Sequence, residues 1–356
     1  MKVLSLFDGM ACGMIAMQLA GVEVESYDAY EIDKYAIKTA QHNFPMIKEH
    51  GDVFNADFTQ YEGVDFLIGG SPCTYWSIAQ TKNRETVASG MGWELFSQYV
   101  RALHEAKPKY FIYENNKSMS KAIRASIDET FGFEAVLINS ALVSAQNRQR
   151  LYWVGKRNPD GTYSKVDVEQ PEDRGILLWD ILEDGIVWQE KSYSTYGASG
   201  VAEPITDICQ VGAMPRPDRE ISTSAGFRIY STEAKGRYLC ANGGGAGAKT
   251  GLYAIPYSIE FDDDGRPIKA IGNDGKDITI YEVKDGKITI KGKQYPIKLQ
   301  DGYYIIRKLT VRECMRLQTV PEWYEFPVSD SQAYKMLGNG WTCEVIAHIL
   351  KGLKEA

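Results

Sequence analysis

One cysteine lies in a segment well suited to covalent chemistry. Cys73 belongs to GGSPCTYWS at 69–77, directly after the apolar run 64–70, which we interpret as a β-strand. Ligands bind at the carboxyl ends of strands in open α/β sheets, and a thiolate there can act as a nucleophile. The glycines and Pro72 predict a strained exit from the strand, and the polar segment 74–92 is typical of a mobile lid. A small, buried and inert cysteine is the alternative.

An acid and a pair of arginines follow along the chain. Glu114 ends the strand-like run 109–115, so we expect it at the same edge of the sheet as Cys73, with a helix cap or a surface group as the alternative. In QNRQR at 146–150, three side chains at alternating positions are predicted to point to one side of a strand: Gln146, Arg148 and Arg150. Two guanidiniums placed together need a carboxylate or a ligand as partner.

A glycine turn near the start of the chain predicts a nucleoside-type cofactor. LFDGMACG at 6–13 joins the first apolar run to a helical pattern, which brings backbone N–H groups close to a ligand. Glu31 ends the next strand-like run, where a carboxylate can accept hydrogen bonds from ribose hydroxyls. Asp8 and the absence of GxGxxG favour S-adenosylmethionine over a dinucleotide. A tight turn followed by an acidic surface residue is the alternative.

The elements that position these residues are predicted to form a doubly wound α/β domain. Apolar runs alternate with helical patterns, as in a parallel sheet, and the predicted strands are 3–8, 24–31, 64–70, 109–115, 135–143 and 151–157. The clearest helix spans 93–108 and has Tyr99, Ala102 and Leu103 at helical spacing.

The pattern changes after about residue 160. Segment 257–306 contains Asp-Gly pairs, which predict β-hairpins, at 264–265, 274–275, 285–286 and 301–302. ANGGGAGAKTG at 241–251 is too glycine-rich to hold one conformation by itself. Segment 343–353 is helical, and its apolar face, which suits packing on the first domain, consists of Ile346, Ile349, Leu350 and Leu353. We therefore predict a catalytic and cofactor-binding domain at 1–164, an inserted, smaller β-rich domain at 165–306 and a returning C-terminal segment at 307–356.

Composition narrows the class of protein. The chain of 356 residues can bury a large core without a disulfide or metal, and its six cysteines show neither CxxC pairs nor paired spacing. It has no long apolar stretch and no basic leader, so we expect a cytoplasmic protein without a membrane partner. The net charge of −7 arises within residues 1–70, whereas segments 214–251 and 265–300 are basic. A local positive face can bind a polyanion, and a solvated β surface is the alternative.

Taken in order, these segments resemble the C5-cytosine DNA methyltransferases over nearly the whole chain. The resemblance is carried by LFDGMACG, GGSPC, YEN at 113–115, QNRQR, RKLTVRECMRLQTVP at 307–321 and LGNG at 337–340. LSLFDG, IGGSPC and GMGWELF are most similar to the eukaryotic de novo branch, whereas the compact length is typical of prokaryotic or viral members. One departure is Gly340 and Trp341, which replace the family's small residue and valine after LGN.

The resemblance implies transfer of a methyl group from S-adenosylmethionine to carbon 5 of a flipped-out cytosine in double-stranded DNA, with S-adenosylhomocysteine as product. It implies Cys73 as the nucleophile, Glu114 as the partner of N3, Arg150 as a contact of the base oxygen and Arg148 as a brace of either Glu114 or the loop. The implied cofactor contacts are Phe7, Asp8, Gly9, Met10, Ala11, Cys12, Glu31, Asp52, Val53, Pro72 and Asn339. The candidate DNA contacts are Ser77, Gln146, Arg228, Lys235, Arg237 and Lys249, the last four in a target-recognition domain at 165–306.

Other functions compete with this interpretation. An RNA cytosine methyltransferase would use the same chemistry, although a sizeable β insertion favours DNA. A non-catalytic DNA-binding partner on the same fold is disfavoured because the cysteine and the glutamate are both present, and QNRQR disfavours a nicotinamide-dependent oxidoreductase. A restriction endonuclease is a candidate partner, and no oligomeric state is predicted.

Overall fold

The computed structural model describes residues 1–78, 84–183, 207–215, 225–241, 247, 250–258 and 278–355. Their contacts divide the chain into two compact units. Unit 1 consists of Met1–Val143, Arg148–Glu172 and Gln318–Ala356, and unit 2 consists of Ser144–Asn147 and Asp173–Leu317. The functional limits predicted at 164 and 306 remain predictions, because contacts alone do not assign a role to either unit.

Unit 1 contains one mixed β-sheet, which has both parallel and antiparallel strand pairs. The strands of the first half of the chain are β1 (Lys2–Leu6), β2 (Ser26–Tyr30), β3 (Lys48–Glu49), β4 (Phe66–Gly69), β5 (Tyr110–Asn116), β6 (Val136–Asn139), β7 (Gln146–Asn147), β8 (Gln149–Arg157) and β9 (Tyr163–Lys165). Apart from β7, which belongs to unit 2, they pair in the order β3-β2-β1-β4-β5-β8-β6, with β9 beside β8. The order reverses at β1, which is the point where ligands bind in doubly wound sheets.

The prediction of a parallel sheet is right for the first strands and wrong for the last ones. Strands β1 to β5 pair in parallel, whereas β8 runs antiparallel to β5, β6 and β9. The connection 140–148 explains the reversal between β6 and β8, because a parallel crossover needs a dozen or more residues.

The helices are α1 (Cys12–Leu19), α2 (Lys34–Asn43), α3 (Met91–Ala106), α4 (Lys121–Phe131), α5 (Val311–Leu317), α6 (Asp330–Asn339) and α7 (Cys343–Glu355). The predicted helix at 93–108 is confirmed as α3, which begins after Gly90 and ends at Lys107 in a left-handed conformation. Helix α4 lies where a helical stretch was expected between two predicted strands, and Ser120 caps it by accepting a hydrogen bond from the N–H of Ile123.

The core of unit 1 explains why these helices lie where they do. Aromatic side chains of α3, α4 and the sheet pack together, among them Phe96, Tyr99, Tyr113, Phe131 and Trp153. The predicted apolar face of the last helix is confirmed, since Ile346, Ile349, Leu350 and Leu353 are buried and α7 contacts α1. The first and last parts of the chain therefore share one core.

Unit 2 is rich in β-structure. Its further strands are β10 (Gln210–Ala213), β11 (Arg228–Ser231), β12 (Gly236–Arg237), β13 (Leu252–Tyr257), β14 (Ile280–Lys284), β15 (Lys287–Ile290), β16 (Lys293–Pro296) and β17 (Gly302–Arg307). They form a sheet in the order β10-β11-β13-β17-β14-β15-β16, in which only β11 and β13 are parallel neighbours, while β12 pairs with β7.

The Asp-Gly pairs have different outcomes. The hairpin at 285–286 is confirmed: Asp285 and Gly286 both have positive φ, at 52° and 68°, and join β14 to β15. The prediction of a hairpin at 301–302 is wrong, because β16 and β17 are not neighbours. Gly302 instead begins β17, which lies between β13 and β14 in the sheet. The pairs at 264–265 and 274–275 and most of the glycine-rich segment 241–251 lie outside the described residues.

None of the helices in the described part of the chain is long and apolar enough to span a membrane.

Candidate active site

The carboxyl ends of three neighbouring parallel strands bring the main sequence motifs together. Leu6 of β1 lies opposite Gly69 of β4, and Gly69 lies opposite Tyr113 of β5. The turn after β1, the segment leading to Cys73 and the strand position of Glu114 are therefore adjacent at one edge of the sheet. This proximity follows from parallel pairing, which places equivalent ends at the same edge.

The turn after β1 has an unusual backbone. Phe7, Gly9 and Ala11 all have positive φ, at 59°, 63° and 60°, a region that costs energy for residues with a Cβ. The N–H of Gly9 donates to Oε2 of Glu31 over 2.9 Å, while Ala11 caps α1 without a side-chain hydrogen bond. Strain of this kind is held in place by the surrounding structure and is frequent at ligand sites.

Two buried carboxyls lie beside this turn. Oδ1 of Asp8 accepts hydrogen bonds from the hydroxyls of Ser5 and Tyr27, whereas Oδ2 is buried without a hydrogen-bond partner among the described residues. Burial raises the pKa of Asp8 to about 6, although both hydrogen bonds oppose the shift. Both carboxylate oxygens of Glu49 also lack a hydrogen-bond partner in the part of the chain that the structure describes. Burial, followed by the charges of Asp8 and Glu31, raises the pKa of Glu49 to about 8. Three acidic groups therefore share one electrostatic environment.

Glu49 was missed at the sequence level. It ends β3, which has two residues and carries no recognisable strand pattern. The signal that could have found it is its position: β3 pairs with β2, so Glu49 lies opposite Ala29 near the strand end that leads to Glu31.

The other predicted cofactor residues are distributed around the same strand ends. Oε1 of Glu31 accepts from the N–H groups of Ile32 and Asp33, so its second oxygen alone binds the turn. Asp52 is exposed, and its Oδ1 accepts from the N–H of Phe54. The remaining residues divide by exposure: Met10, Ala11, Cys12 and Val53 are buried, and Pro72 and Asn339 are exposed.

Cys73 begins a short 3₁₀ helix, Cys73–Tyr75, four residues after the end of β4. The predicted strain at this exit is not found, because neither Gly69 nor Gly70 has positive φ. Close approach explains the glycines instead. A Cβ at Gly69 would lie 2.7 Å from the carbonyl oxygen of Leu6, and one at Gly70 would lie 2.7 Å from that of Glu114.

Glu114 is the best-defined group of the site. Its side chain is 12% exposed, Oε1 lies 3.0 Å from Nε of Arg150, and Oε2 accepts a 3.0 Å hydrogen bond from Nε1 of Trp341. Burial raises the pKa of Glu114, and the opposing influences are Arg150, Arg148 and the Trp341 hydrogen bond, in decreasing order. The carboxyl is therefore held in one orientation with a proton affinity above that of an ordinary glutamate.

The arginine pair is confirmed near Glu114, but the wider prediction for QNRQR is wrong. The Arg148 guanidinium donates to the carbonyl oxygens of Gly338 and Gly340, 3.2 and 2.8 Å away. Gln146 does not share a side with these arginines, because it belongs to β7 and pairs with β12 rather than with the sheet of unit 1. The chain changes sheets at Arg148, which sequence alternation alone does not indicate.

Two of the predicted DNA contacts are buried and bonded to the backbone of the protein itself. Gln146 is fully buried, with its amide donating to the carbonyl oxygen of Leu317. Lys235 is likewise 0% exposed, and its Nζ donates to the carbonyl oxygens of Ser144 and Ile176. A phosphate contact requires an accessible cation, so the predicted role of Lys235 is wrong for this structure.

The other predicted DNA contacts are accessible in part. Arg228, Arg237 and Ser77 are half-buried, and the Arg237 guanidinium lies 5.3 Å from the ring centre of Tyr238. Lys249 lies outside the described residues.

Trp341 is the second residue that the sequence did not place. The departure from the family pattern at Gly340 and Trp341 was the available signal, but its partner Glu114 lies 227 residues away. There is also a steric reason for glycine at position 340, since a Cβ there would lie 3.0 Å from Sγ of Cys12. The segment that carries Trp341 therefore packs on the turn after β1.

Comparisons with known proteins agree with this geometry. The profile of the family described as C-5 cytosine-specific DNA methylase matches residues 1–355. The orphan methyltransferase M.SPRI of Bacillus phage SPR is 25% identical, over 99% of this chain and 97% of that protein. The type II methyltransferase M1.ScrFI of Lactococcus lactis subsp. cremoris is 28% identical, over 99% of this chain and 78% of that protein.

A solved structure gives the same result for the fold. The crystal structure of the S. pombe Dnmt2 methyltransferase matches with a TM-score of 0.59 at 16% identity, covering 99% of this chain and 98% of that one. This likeness concerns the fold alone, and the family profile adds the activity. The chain therefore belongs to the C-5 cytosine-specific DNA methylase family and is a DNA (cytosine-5) methyltransferase.

Proposed function

We propose that this enzyme methylates carbon 5 of a flipped-out cytosine in double-stranded DNA through a covalent adduct with Cys73. Carbon 5 of cytosine is a weak nucleophile, so the ring must be activated before it accepts a methyl group. Addition of a thiolate at C6 makes C5 electron-rich. The observation that carries the proposal is Glu114, a buried carboxyl of raised pKa on the strand next to the one that leads to Cys73.

Glu114 is the proposed acid for N3 of the base. The sulfur electron pair forms the S–C6 bond, and negative charge moves through the ring to N3. A carboxyl with raised pKa can supply a proton or a strong hydrogen bond there. After methyl transfer, a water molecule accepts the C5 proton, and the electron pair of that C–H bond restores the C5–C6 double bond. The S–C6 bond breaks and releases the thiolate of Cys73, and N3 returns its proton to Glu114. Arg150 is the proposed contact of the base oxygen, and Arg148 braces the segment 338–340.

S-adenosylmethionine fits the turn after β1. Its positive charge suits a site where Oδ2 of Asp8 and both carboxylate oxygens of Glu49 are buried with no hydrogen-bond partner from the described residues. When bound, it supplies the methyl group and leaves as S-adenosylhomocysteine. The residues proposed to hold it are Phe7, Asp8, Gly9, Met10, Ala11, Cys12, Glu31, Asp52, Val53, Pro72 and Asn339.

The DNA side of the proposal concerns access and recognition. A cytosine inside a duplex is unreachable, so the base must be flipped out, and segment 74–92 is the proposed lid. In the described part of that segment, Oε2 of Glu85 accepts from Nε1 of Trp76 over 3.0 Å. Residues 165–306 form the proposed target-recognition domain, with Arg228 and Arg237 as candidate phosphate contacts and Ser77 as a contact from unit 1.

The relatives support two further parts of the proposal. M1.ScrFI is a type II methyltransferase, so a restriction endonuclease is a candidate partner, whereas M.SPRI is an orphan enzyme. Their bacterial and phage origins support a cytoplasmic location, where bacterial DNA lies.

The experiment has two parts. Expression in a host without cytosine methylation, followed by mapping of modified cytosines, should find methylated positions in one sequence context. Incubation of the protein and cofactor with DNA containing 5-fluorocytosine should give a denaturation-resistant adduct, because fluorine cannot leave as a proton does. Cys73→Ser should abolish both methylation and adduct while DNA binding persists.

Contrary results would select the alternatives. Active wild-type protein that forms no adduct would contradict the covalent mechanism. Methylation and adduct formation with RNA but not with DNA would favour the RNA methyltransferase. DNA binding without any methylation would favour the non-catalytic module.

A further inference from the structure

The contact between Trp341 and Glu114 joins two distant parts of unit 1. The indole Nε1 donates to Oε2 of Glu114 over 3.0 Å, while Nε of Arg150 lies 3.0 Å from Oε1. Each oxygen of the carboxyl therefore has its own contact, an ion pair with Arg150 on Oε1 and a hydrogen bond from Trp341 on Oε2. With one contact on each oxygen, the carboxyl plane cannot rotate without weakening one of them.

The segment that carries Trp341 is itself held firmly. Gly340 is bound at its carbonyl oxygen by Arg148 over 2.8 Å and by the side-chain amide of Gln318 over 3.1 Å. Thr342 is buried, and its hydroxyl lies 2.8 Å from that of Ser140. Trp341 thus lies between two anchored residues, which limits the movement of its indole.

Gly70 leaves room for this hydrogen bond. A Cβ at position 70 would lie 2.9 Å from Oε2 of Glu114 and 3.4 Å from Nε1 of Trp341. A side chain there would push directly into the two bonded atoms. Gly70, the carboxyl group of Glu114 and the indole of Trp341 are therefore packed against one another.

We propose that Trp341 is a positioning residue that fixes the catalytic orientation of Glu114. The inference rests on the proposed function, in which Glu114 serves N3 of the base. An indole N–H is an uncharged donor. It can therefore orient the carboxyl with less bias toward the ionised form than a second guanidinium at the same distance would impose. Arg150 provides the positive charge beside the carboxyl group of Glu114, and Trp341 fixes the orientation of that group.

The alternative role of Trp341 is to pack against the cofactor, because Gly340 borders Cys12 of the turn after β1. The two roles predict that substitution of Trp341 changes different kinetic or binding quantities. A packing residue acts through its ring and changes cofactor affinity. A positioning residue acts through its N–H and changes turnover and its pH dependence.

Trp341→Phe separates them, because it removes the N–H and keeps an aromatic ring. We expect turnover to fall about tenfold to a hundredfold, the range for loss of a hydrogen bond to a charged or proton-transferring group, with the KM values for DNA and S-adenosylmethionine within about twofold. The hydrogen bond lowers the pKa of Glu114, so its loss should move the alkaline limb of the turnover profile to higher pH.

Trp153→Phe is the matched control. Nε1 of Trp153 also donates to a carboxylate, Oδ1 of Asp128, over 2.7 Å, but it does so within the aromatic core. This variant should lose stability in thermal unfolding without a shift of the pH profile. If Trp341→Phe does not fold, Trp341→Met serves the same purpose, since it keeps an apolar side chain and has no hydrogen-bond donor.

The outcomes distinguish the inference from the proposed function. A folded Trp341 variant with a wild-type pH profile, whose loss is confined to cofactor affinity, overturns the positioning role. The wild-type adduct with 5-fluorocytosine DNA is measured alongside. Its absence contradicts the proposed function itself, whereas a normal wild-type adduct together with an unaltered variant contradicts only the role of Trp341.

Discussion

Two sites with buried carboxyl groups in unit 1 differ in whether a cationic side chain lies beside the carboxyl. At the turn after β1, Asp8 and Glu49 have raised pKa values, and in the described part of the chain neither forms an ion pair. Near the end of β5, Glu114 is as buried as Asp8 but contacts Arg150 and accepts from Trp341. We call the first site uncompensated because it has no cationic partner within the described residues, and the second compensated because it has Arg150.

The difference indicates what each site is built to do. Uncompensated buried carboxyls are costly when ionised, so they either hold protons or await a cation. A compensated carboxyl keeps its orientation in the absence of ligand, as general acid catalysis requires. The first site therefore suits a charged cofactor, and the second suits a reacting base.

The largest expected effect is at the compensated site. Glu114→Gln keeps the shape and removes the titratable proton, so turnover should fall by about a hundredfold or more while DNA affinity stays within about twofold. Single-turnover methylation and a filter-binding assay measure the two quantities. Asp128→Asn, which changes a carboxylate bonded to Trp153, is the control and should retain turnover. Unchanged turnover in Glu114→Gln would remove Glu114 from the chemistry.

A smaller effect is expected at the uncompensated site. Because Asp8 and Glu49 have pKa values of about 6 and about 8, binding of a cationic cofactor at pH 7 should release protons. Calorimetry in buffers of different ionisation heat measures the number released, and Glu49→Gln should reduce it. Glu62→Gln, which changes an exposed carboxylate paired with Lys107, should not. Equal proton release from the wild type and Glu49→Gln would show that the cofactor does not sense this group.

The same substitution tests the sign of the pH dependence. The pKa of Glu49 is raised from 4.5 to about 8, so the folded protein binds more protons than the unfolded chain in that interval. The free energy of unfolding without cofactor should therefore fall as pH rises from about 4.5 to about 8. Glu49→Gln should flatten this dependence, and a steeper curve would contradict the assignment.

The smallest effect concerns the basic residues of unit 2, which also divide into compensated and accessible groups. Arg228→Gln and Arg237→Gln should each reduce the log–log salt slope of DNA binding by about 0.9 per lost phosphate contact. Lys235→Met should leave the slope unchanged and lower stability by about 1–3 kcal/mol, because it leaves the buried carbonyl oxygen of Ser144 and the partly buried one of Ile176 without this donor. A shallower slope for Lys235→Met would restore Lys235 as a phosphate contact.

Local sequence patterns predicted much of the fold of unit 1. The apolar runs that became β1, β4 and β5 are long enough to identify, and α3 has a clear helical face. The two-residue strand β3 and the short strand β9 have too few residues for a periodic pattern. The direction of β8 was missed because alternation is the same in parallel and antiparallel strands.

Some residues of the candidate site could be predicted from their own segment, whereas the surroundings of others depend on contacts with distant parts of the chain. Glu114 was predicted from its place at the end of an apolar run, and Arg148 and Arg150 were predicted to need a carboxylate or a ligand near them. The burial of Lys235 and Gln146 was not predictable, because both look like polar surface residues in their own segments. Their partners, Ser144 and Leu317, come from other parts of the chain.

The sequence by itself determined the family, the order of the strands that carry the motifs and the chemical types gathered at their ends, because apolar runs and short motifs are local properties. Only the tertiary structure decided that Trp341 donates to Glu114 and that Lys235 is buried. It also decided that, within the described ranges, three carboxylate oxygens of Asp8 and Glu49 lack hydrogen-bond partners. These features depend on contacts between residues far apart in the chain. Burial and hydrogen bonding at such contacts set pKa and orientation, and neither is a property of a single segment.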